Sequence, residues 1–218
     1  MSDAATSAGV LMDRIYHHQR HFYDFTRKYF LLGRDRLIRG LAPPSGARVL
    51  EVGCGTARNL VKAARLYPGA NFYGIDISTK MLETARRRIK REGLTASIVV
   101  GEADAECFDP LRLFGVPGFS RIFISYSLSM IPGWRNAMTQ AFAALEPGGE
   151  LHIVDFGRQE WLPRWVKAAL RRWIGLFHVS PRDDLEAELT RRAAEGGMSA
   201  DIERPYLGYV QFAVCRRS

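Results

Sequence analysis

The chain has 218 residues, 47% hydrophobic and 25% charged, the proportions of one globular domain with its own core and not of a disordered chain. Lys and Arg number 31 against 23 Asp and Glu, a formal net charge of +8 that suits an acidic partner such as nucleic acid or an anionic membrane surface. Cys54, Cys107 and Cys215 are too few and too scattered for a disulfide framework or a zinc site, so no metal is expected.

Met1 to Gly9 are small and polar, without the basic start and apolar stretch of a signal peptide. No run approaches the ~18 apolar residues of a membrane span. Residues 1–10 read as a disordered tail, and the chain as a soluble, cytoplasmic one. From Leu11 to Leu41 only Gly33 and Gly40 interrupt a helix-compatible run, which predicts a helical lid, one long helix or two abutting ones, over residues 11–42. Pro43-Pro44-Ser45-Gly46 ends it and opens the main domain, residues 43–218. Strands are predicted over Arg48–Val52, Asn71–Ile75, Ser97–Gly101, Arg121–Ser125 and Glu150–Asp155. Helices are predicted over Ala57–Leu66, Ser78–Glu92, Trp134–Leu145, Leu162–Phe177 and Asp183–Glu195. Ala200–Glu203 and Tyr209–Cys215 read as a closing antiparallel pair around Arg204-Pro205. This alternation predicts an α/β, doubly wound, mainly parallel seven-stranded sheet with helices on both faces.

Val49-Leu50-Glu51-Val52-Gly53-Cys54-Gly55-Thr56-Ala57 is a strand running into a glycine turn that opens a helix. Gly53 and Gly55 let the backbone turn tightly and approach a ligand with no Cβ in the way. Asp76, at the end of the next strand, is placed to accept both hydroxyls of a ribose. A dinucleotide site asks for a third glycine at the sixth position of the turn, where this chain has Arg58. Glu51 would repel a pyrophosphate and suits a cation. S-Adenosylmethionine carries a sulfonium and an ammonium, so these residues point to that cofactor.

The pattern resembles the class I S-adenosylmethionine-dependent methyltransferases over about Arg48 to Phe156. The resemblance implies a Rossmann-like fold with an N-terminal helical extension. Glu51, Gly53 and Gly55 match the acid and the glycine pair of that family's first motif, with Ala57 where a third glycine is frequent. Asp76 matches its ribose acid, with Ile77 beside it against adenine. Asp104 and the Ala105 amide match its adenine contacts, Ser125 matches the end of its fourth strand, and Met81 joins the cofactor-binding set.

The flanks bear on the methyl acceptor. In the N-terminal helix, Leu11, Ile15, Phe22, Phe25, Tyr29 and Leu32 form one stripe, and Met12, Tyr16, Tyr23 and Phe30 a second beside Arg20 and Arg27. One stripe suffices for docking; the second suits a lid over substrate. Tyr16, Tyr23, Tyr29 and Tyr126 are candidates for holding an amine, since a tyrosine ring attracts a cation while its hydroxyl orients it. His152 and Asp155 are candidate proton acceptors. Three of the 4 tryptophans fall in Trp161–Trp173. At helical spacing Trp161, Trp165, Ala169, Trp173 and Phe177 align, with Arg164, Lys167 and Arg171 on the other side, as in a helix lying at an anionic membrane surface.

The segment His17 to Asp35 resembles the bacterial betaine-lipid N-methyltransferases, which methylate the amine of diacylglyceryl-homoserine to give diacylglyceryl-trimethylhomoserine. That resemblance implies an aminolipid substrate, peripheral association with the inner membrane face, and the enzyme that makes diacylglyceryl-homoserine as a partner. Rival readings are a phosphatidylethanolamine N-methyltransferase, a methyltransferase for quinones or natural products, a nucleic-acid-binding methyltransferase-like protein, and a membrane scaffold without activity. The Asn/Asp-Pro-Pro-Tyr signature of base and amide methylation is absent where Ser125-Tyr126-Ser127-Leu128 stands, so no nucleic-acid partner is expected.

Overall fold

The computed structural model describes residues 31–176, 179–195 and 197–217. The predicted tail and most of the predicted lid, with Tyr16, Tyr23 and Tyr29, lie outside them. Of the predicted helical run, the described residues hold α1 (Arg34–Gly40), which starts after Gly33, whose φ of 81° is left-handed and lies outside a right-handed helix. A Cβ at Gly33 would strike the Phe212 ring, which leaves glycine as the residue that fits.

The elements then alternate as β1 (Arg48–Val52), α2 (Arg58–Leu66), β2 (Asn71–Asp76), α3 (Thr79–Arg91), β3 (Ile98–Glu102), α4 (Pro110–Phe114), β4 (Phe119–Ser125), α5 (Trp134–Ala143), β5 (Leu145–Phe156), α6 (Arg164–Gly175), α7 (Leu185–Ala194), β6 (Met198–Glu203) and β7 (Val210–Arg217). The seven strands form one sheet in the order β3-β2-β1-β4-β5-β7-β6. The first five are parallel, and β7 inserts antiparallel between β5 and β6. The predicted closing pair is therefore present, with the last strand paired inside the sheet and β6 at its edge.

β1 is apolar on both faces, as a central parallel strand must be: Val49, Leu50 and Val52 are fully buried. One face of the sheet is covered by α1, α2, α3 and α6 through Ile38, Leu60, Leu82 and Ile174. The other is covered by α5 and α7 through Trp134, Met138, Leu185 and Leu189. α2 comes close to the sheet at Gly74, where a Cβ would lie 2.6 Å from Leu60 Cδ1.

The short helix α4 is absent from the predicted elements. It is capped by Asp109, which accepts from Leu111 N at 2.9 Å and Arg112 N at 3.3 Å, starts on Pro110 and stops at a left-handed Gly115. Five residues are too few to show a helical period, which is why the apolar pattern misses it. α6 begins at Arg164, two residues after the predicted start, because Pro163 takes the cap position. β5 begins at Leu145, before the predicted Glu150, and a register shift opposite Phe119/Arg121 absorbs Pro147-Gly148-Gly149.

Candidate active site

β1 and β4 are neighbours, yet the chain runs from β1 outward to β2 and β3 before crossing back to β4. Such a switch point leaves a crevice beyond the carboxyl ends of the strands. A pocket opens there, lined by Glu51, Gly53 and Gly55 at the end of β1 and in the turn after it, by Asp76 and Ile77 at the end of β2, and by Ser125, Tyr126 and Ser127 at the end of β4. Leu31 and Arg34 close its N-terminal side.

The glycine turn is set by backbone need. Gly53 has φ 73° and a Cβ there would fall 2.5 Å from Ser127 Cβ. The Ser127 hydroxyl donates to Val52 O at 2.9 Å, tying the ends of β1 and β4 together. Gly53 N and Cys54 N both donate to Ile75 O at 2.9 Å. Ala57 stands left-handed at the cap of α2, with φ 58°. Asp76 is oriented by two backbone donors, Gly55 N to Oδ2 at 2.8 Å and Ser78 N to Oδ1 at 3.0 Å.

Glu51 is the most unusual group in the pocket. It is 1% exposed, and Asn59 Nδ2 donates to its Oε1 at 2.7 Å. Its Oε2 is buried with no hydrogen-bond partner among the described residues. Burial pushes its pKa up to about 8, against the lowering effect of the Asn59 hydrogen bond. A buried carboxylate oxygen without a donor, facing a pocket, fits a cationic ligand. Ser125 Oγ, on the same rim, is likewise buried without a partner.

Tyr126 departs from its expected role. It is buried with φ 59°, and its hydroxyl donates to Leu32 O at 2.7 Å. That hydroxyl holds the N-terminal segment to the pocket and is not the amine-orienting group the sequence predicts. Its ring meets Phe156 edge-on at 4.8 Å, and Phe156 meets Tyr209 at 5.8 Å. Burial pushes the Tyr126 phenol well above its ordinary value and that of Tyr209 up to about 12.

The two candidate proton acceptors separate. His152 lies on a different cavity, with Arg121, Arg216 and Glu150, and its Nε2 pairs with Glu150 Oε2 at 3.0 Å. This pairing, and the burial that lowers its pKa, fit a structural strand histidine and not a proton acceptor at the pocket. Asp155 is fully buried at the end of β5 and accepts from Ser129 N at 3.0 Å and Phe156 N at 2.7 Å. Burial raises its pKa to about 6.

Of the predicted cofactor residues, Glu51, Gly53, Gly55, Asp76, Ile77 and Ser125 share one pocket, whereas Met81, Asp104 and Ala105 stand outside its lining. Met81 is buried in the first turn of α3, where its N–H donates to Ser78 Oγ at 3.3 Å. Asp104 Oδ1 accepts from Glu106 N at 2.9 Å, and Ala105 packs against the core under α5. Sequence reasoning missed Asn59, whose place eight residues after Glu51 gives it the first turn of α2, and it missed Glu106. The Glu106 carboxylate accepts from Gly133 N at 3.0 Å and Asn136 Nδ2 at 3.2 Å, joining the loop after β3 to the start of α5.

Residues 49–149 match the model of the methyltransferase domain family. The ubiquinone/menaquinone biosynthesis C-methyltransferase UbiE of Bartonella tribocorum is 29% identical over 187 residues, 81% of this chain and 68% of that one. The O-methyltransferase cnsE of Penicillium expansum is 32% identical over 166 residues, 73% of this chain and 57% of that one. The chain thus spans 57% to 68% of the length of these two relatives. An O-methyltransferase family protein from Burkholderia thailandensis shares the fold with a TM-score of 0.70 at 15% identity, over 94% of this chain and 62% of that one. A glycine cradle at the switch point, an acid at the end of β2 and a buried carboxylate asking for a cation serve one cofactor, S-adenosylmethionine, and residues 49–149 are similar to the methyltransferase domain family.

Proposed function

We propose that the chain methylates the amine of a lipid-borne acceptor, taking diacylglyceryl-homoserine through three rounds to the betaine lipid diacylglyceryl-trimethylhomoserine. In this reading Glu51 faces the cationic end of S-adenosylmethionine and Asp76 its ribose hydroxyls. Ile77 lies along the adenine, with Met81, Asp104 and Ala105 behind it, and Ser125 caps the pocket's far wall. When bound, the cofactor supplies a methyl group made electrophilic by its sulfonium. An amine needs positioning and the loss of one proton before each round, with little further acid–base machinery.

One observation carries the choice of an amine. The acids that line the pocket among the described residues are Glu51 and Asp76, both assigned to the cofactor, and burial raises the pKa of Cys54 and Tyr126. None of these is placed to deprotonate a phenol or a carbon acid. The resemblance of His17 to Asp35 to the betaine-lipid enzymes supports the headgroup, and Tyr16, Tyr23 and Tyr29 in that segment are its proposed amine-holding groups.

A quinone acceptor is the second reading, favoured by the UbiE relative that spans 81% of the chain. Incubation with methyl-labelled cofactor and separate diacylglyceryl-homoserine, phosphatidylethanolamine and demethylated quinol distinguishes them. Label in the homoserine lipid, with mono- and dimethyl intermediates, is the expected result. Label in the quinol alone overturns the amine reading.

A further inference from the structure

Among the described residues, exposed large apolar side chains recur in two adjoining segments. Trp161 is 56% and Trp165 77% exposed after β5, and Leu176, at the end of α6, is 66% exposed. Tyr206 and Leu207, in the turn between β6 and β7, are 50% and 58% exposed. Both segments belong to one surface. Gln159 N donates to Gly208 O at 2.8 Å, Arg204 pairs with Glu160 at 2.9 Å, and the Arg204 guanidinium lies 5.8 Å from the Trp161 ring centre.

The tryptophan stripe predicted for α6 divides in the fold. Leu170, Trp173 and Ile174 pack against the core, while Trp165, Ala168, Ala169, Arg172 and Leu176 form the outward face. A helix docked by one face ordinarily turns its polar side to water. This one turns outward an apolar stripe broken only by arginine, and no acidic residue occurs between Trp161 and Leu176.

From this we infer that α6 and the β6–β7 turn form one docking surface for an anionic lipid bilayer, with Trp165 and Leu207 entering the interface and Arg164, Lys167 and Arg172 facing the headgroups. Amphipathic aromatic and leucine side chains supply burial, and the basic residues supply attraction to anionic lipid. A second copy of the chain fits poorly, because a self-complementary contact would set these cations against their like. A nucleic acid would use the charge but has little use for Leu176 and Leu207. A series of ring contacts, Tyr209 to Phe156 to Tyr126, links the β6–β7 turn to the pocket wall. The inference rests on the lipid-acceptor reading for its use and on these exposed side chains for its geometry.

The test is flotation of the full chain with vesicles of phosphatidylcholine alone and of phosphatidylcholine mixed with phosphatidylglycerol, at low and high salt. Binding is expected on the mixed vesicles and is expected to fall with salt. The double variant Trp165→Ala/Leu207→Ser is expected to lose about tenfold or more in partitioning. Its cofactor affinity by calorimetry is expected to stay that of the parent. Equal flotation of parent and variant overturns the surface, as does binding to an oligonucleotide but not to vesicles, or a dimer that the variant abolishes. Methyl transfer is scored separately. Vesicle binding without transfer to any aminolipid refutes the acceptor reading alone, and transfer in micelles by a chain that ignores vesicles refutes the surface alone.

Discussion

The Tyr126 hydroxyl donates a 2.7 Å hydrogen bond to the backbone carbonyl of Leu32, joining the end of β4 to the N-terminal segment across the pocket mouth. Leu31 and Arg34, on either side of that carbonyl, line the pocket with Tyr126, so this bond shapes the wall the ligand meets. Tyr126→Phe keeps the ring contact with Phe156 and removes only this tie. The expected cost is about 1 kcal/mol of stability, read by urea unfolding, together with faster proteolytic cleavage near Leu32 and a severalfold weaker hold on the cofactor. An unchanged cleavage pattern would show that the segment is anchored elsewhere.

Asp76 is presented to the pocket by Gly55 N and Ser78 N. Asp76→Ala removes the acceptor for the ribose hydroxyls and the partner of both backbone donors. Cofactor affinity is expected to fall about ten- to a hundredfold, the size of two charge-assisted hydrogen bonds partly replaced by water. Calorimetry on the folded variant measures it, and near-parental affinity would take Asp76 out of the site.

Glu51 is expected to make cofactor binding pH-dependent. Its carboxyl is raised in the folded chain from 4.5 to about 8. Below the lower value both folded and unfolded chains hold the proton, and the group has no effect on stability. Between the two values the unfolded chain releases the proton while the folded chain keeps it, so the stability of the ligand-free protein falls as pH rises through that window. A cationic ligand favours the carboxylate, so affinity should climb over the same window and binding near neutrality should release up to about one proton. Titration calorimetry in two buffers of different ionisation heat counts that proton. Glu51→Gln should abolish the release and stabilise the ligand-free chain; equal heats in both buffers for the parent would contradict the assignment.

Gly53 and Gly46 both hold left-handed backbone, with φ 73° and 76°, but only Gly53 has a neighbour where a Cβ would go. Gly46→Ala should cost about 1 kcal/mol, the backbone term alone. Gly53→Ala adds a collision with Ser127 and should cost about 2 kcal/mol or more, with loss of cofactor binding. Thermal unfolding of the pair separates backbone strain from the collision, and equal losses would mean that Ser127 yields freely.

Much of this molecule is legible along the chain because it depends on neighbours in sequence. A buried run into two glycines, with an acid before them and another after the next strand, has local backbone requirements that only a few residue types meet. Glu51, Gly53, Gly55 and Asp76 could therefore be placed before any coordinates. The parallel strands followed from short apolar runs, since a strand covered on both faces buries successive side chains, and the closing pair followed from alternation around Arg204-Pro205. The pairing of β7 between β5 and β6 follows from no local pattern. Nor do Asn59 on Glu51, Glu106 on Gly133, or the commitment of the Tyr126 hydroxyl to Leu32. Each joins segments whose approach is set by how a helix crosses the sheet. The tryptophan stripe shows the limit most plainly. Helical spacing aligned Trp165 with Trp173, but only packing against the sheet decided that Trp173 would turn inward and Trp165 to solvent, because a helix's periodicity states which residues share a face and the surrounding core selects which face is buried.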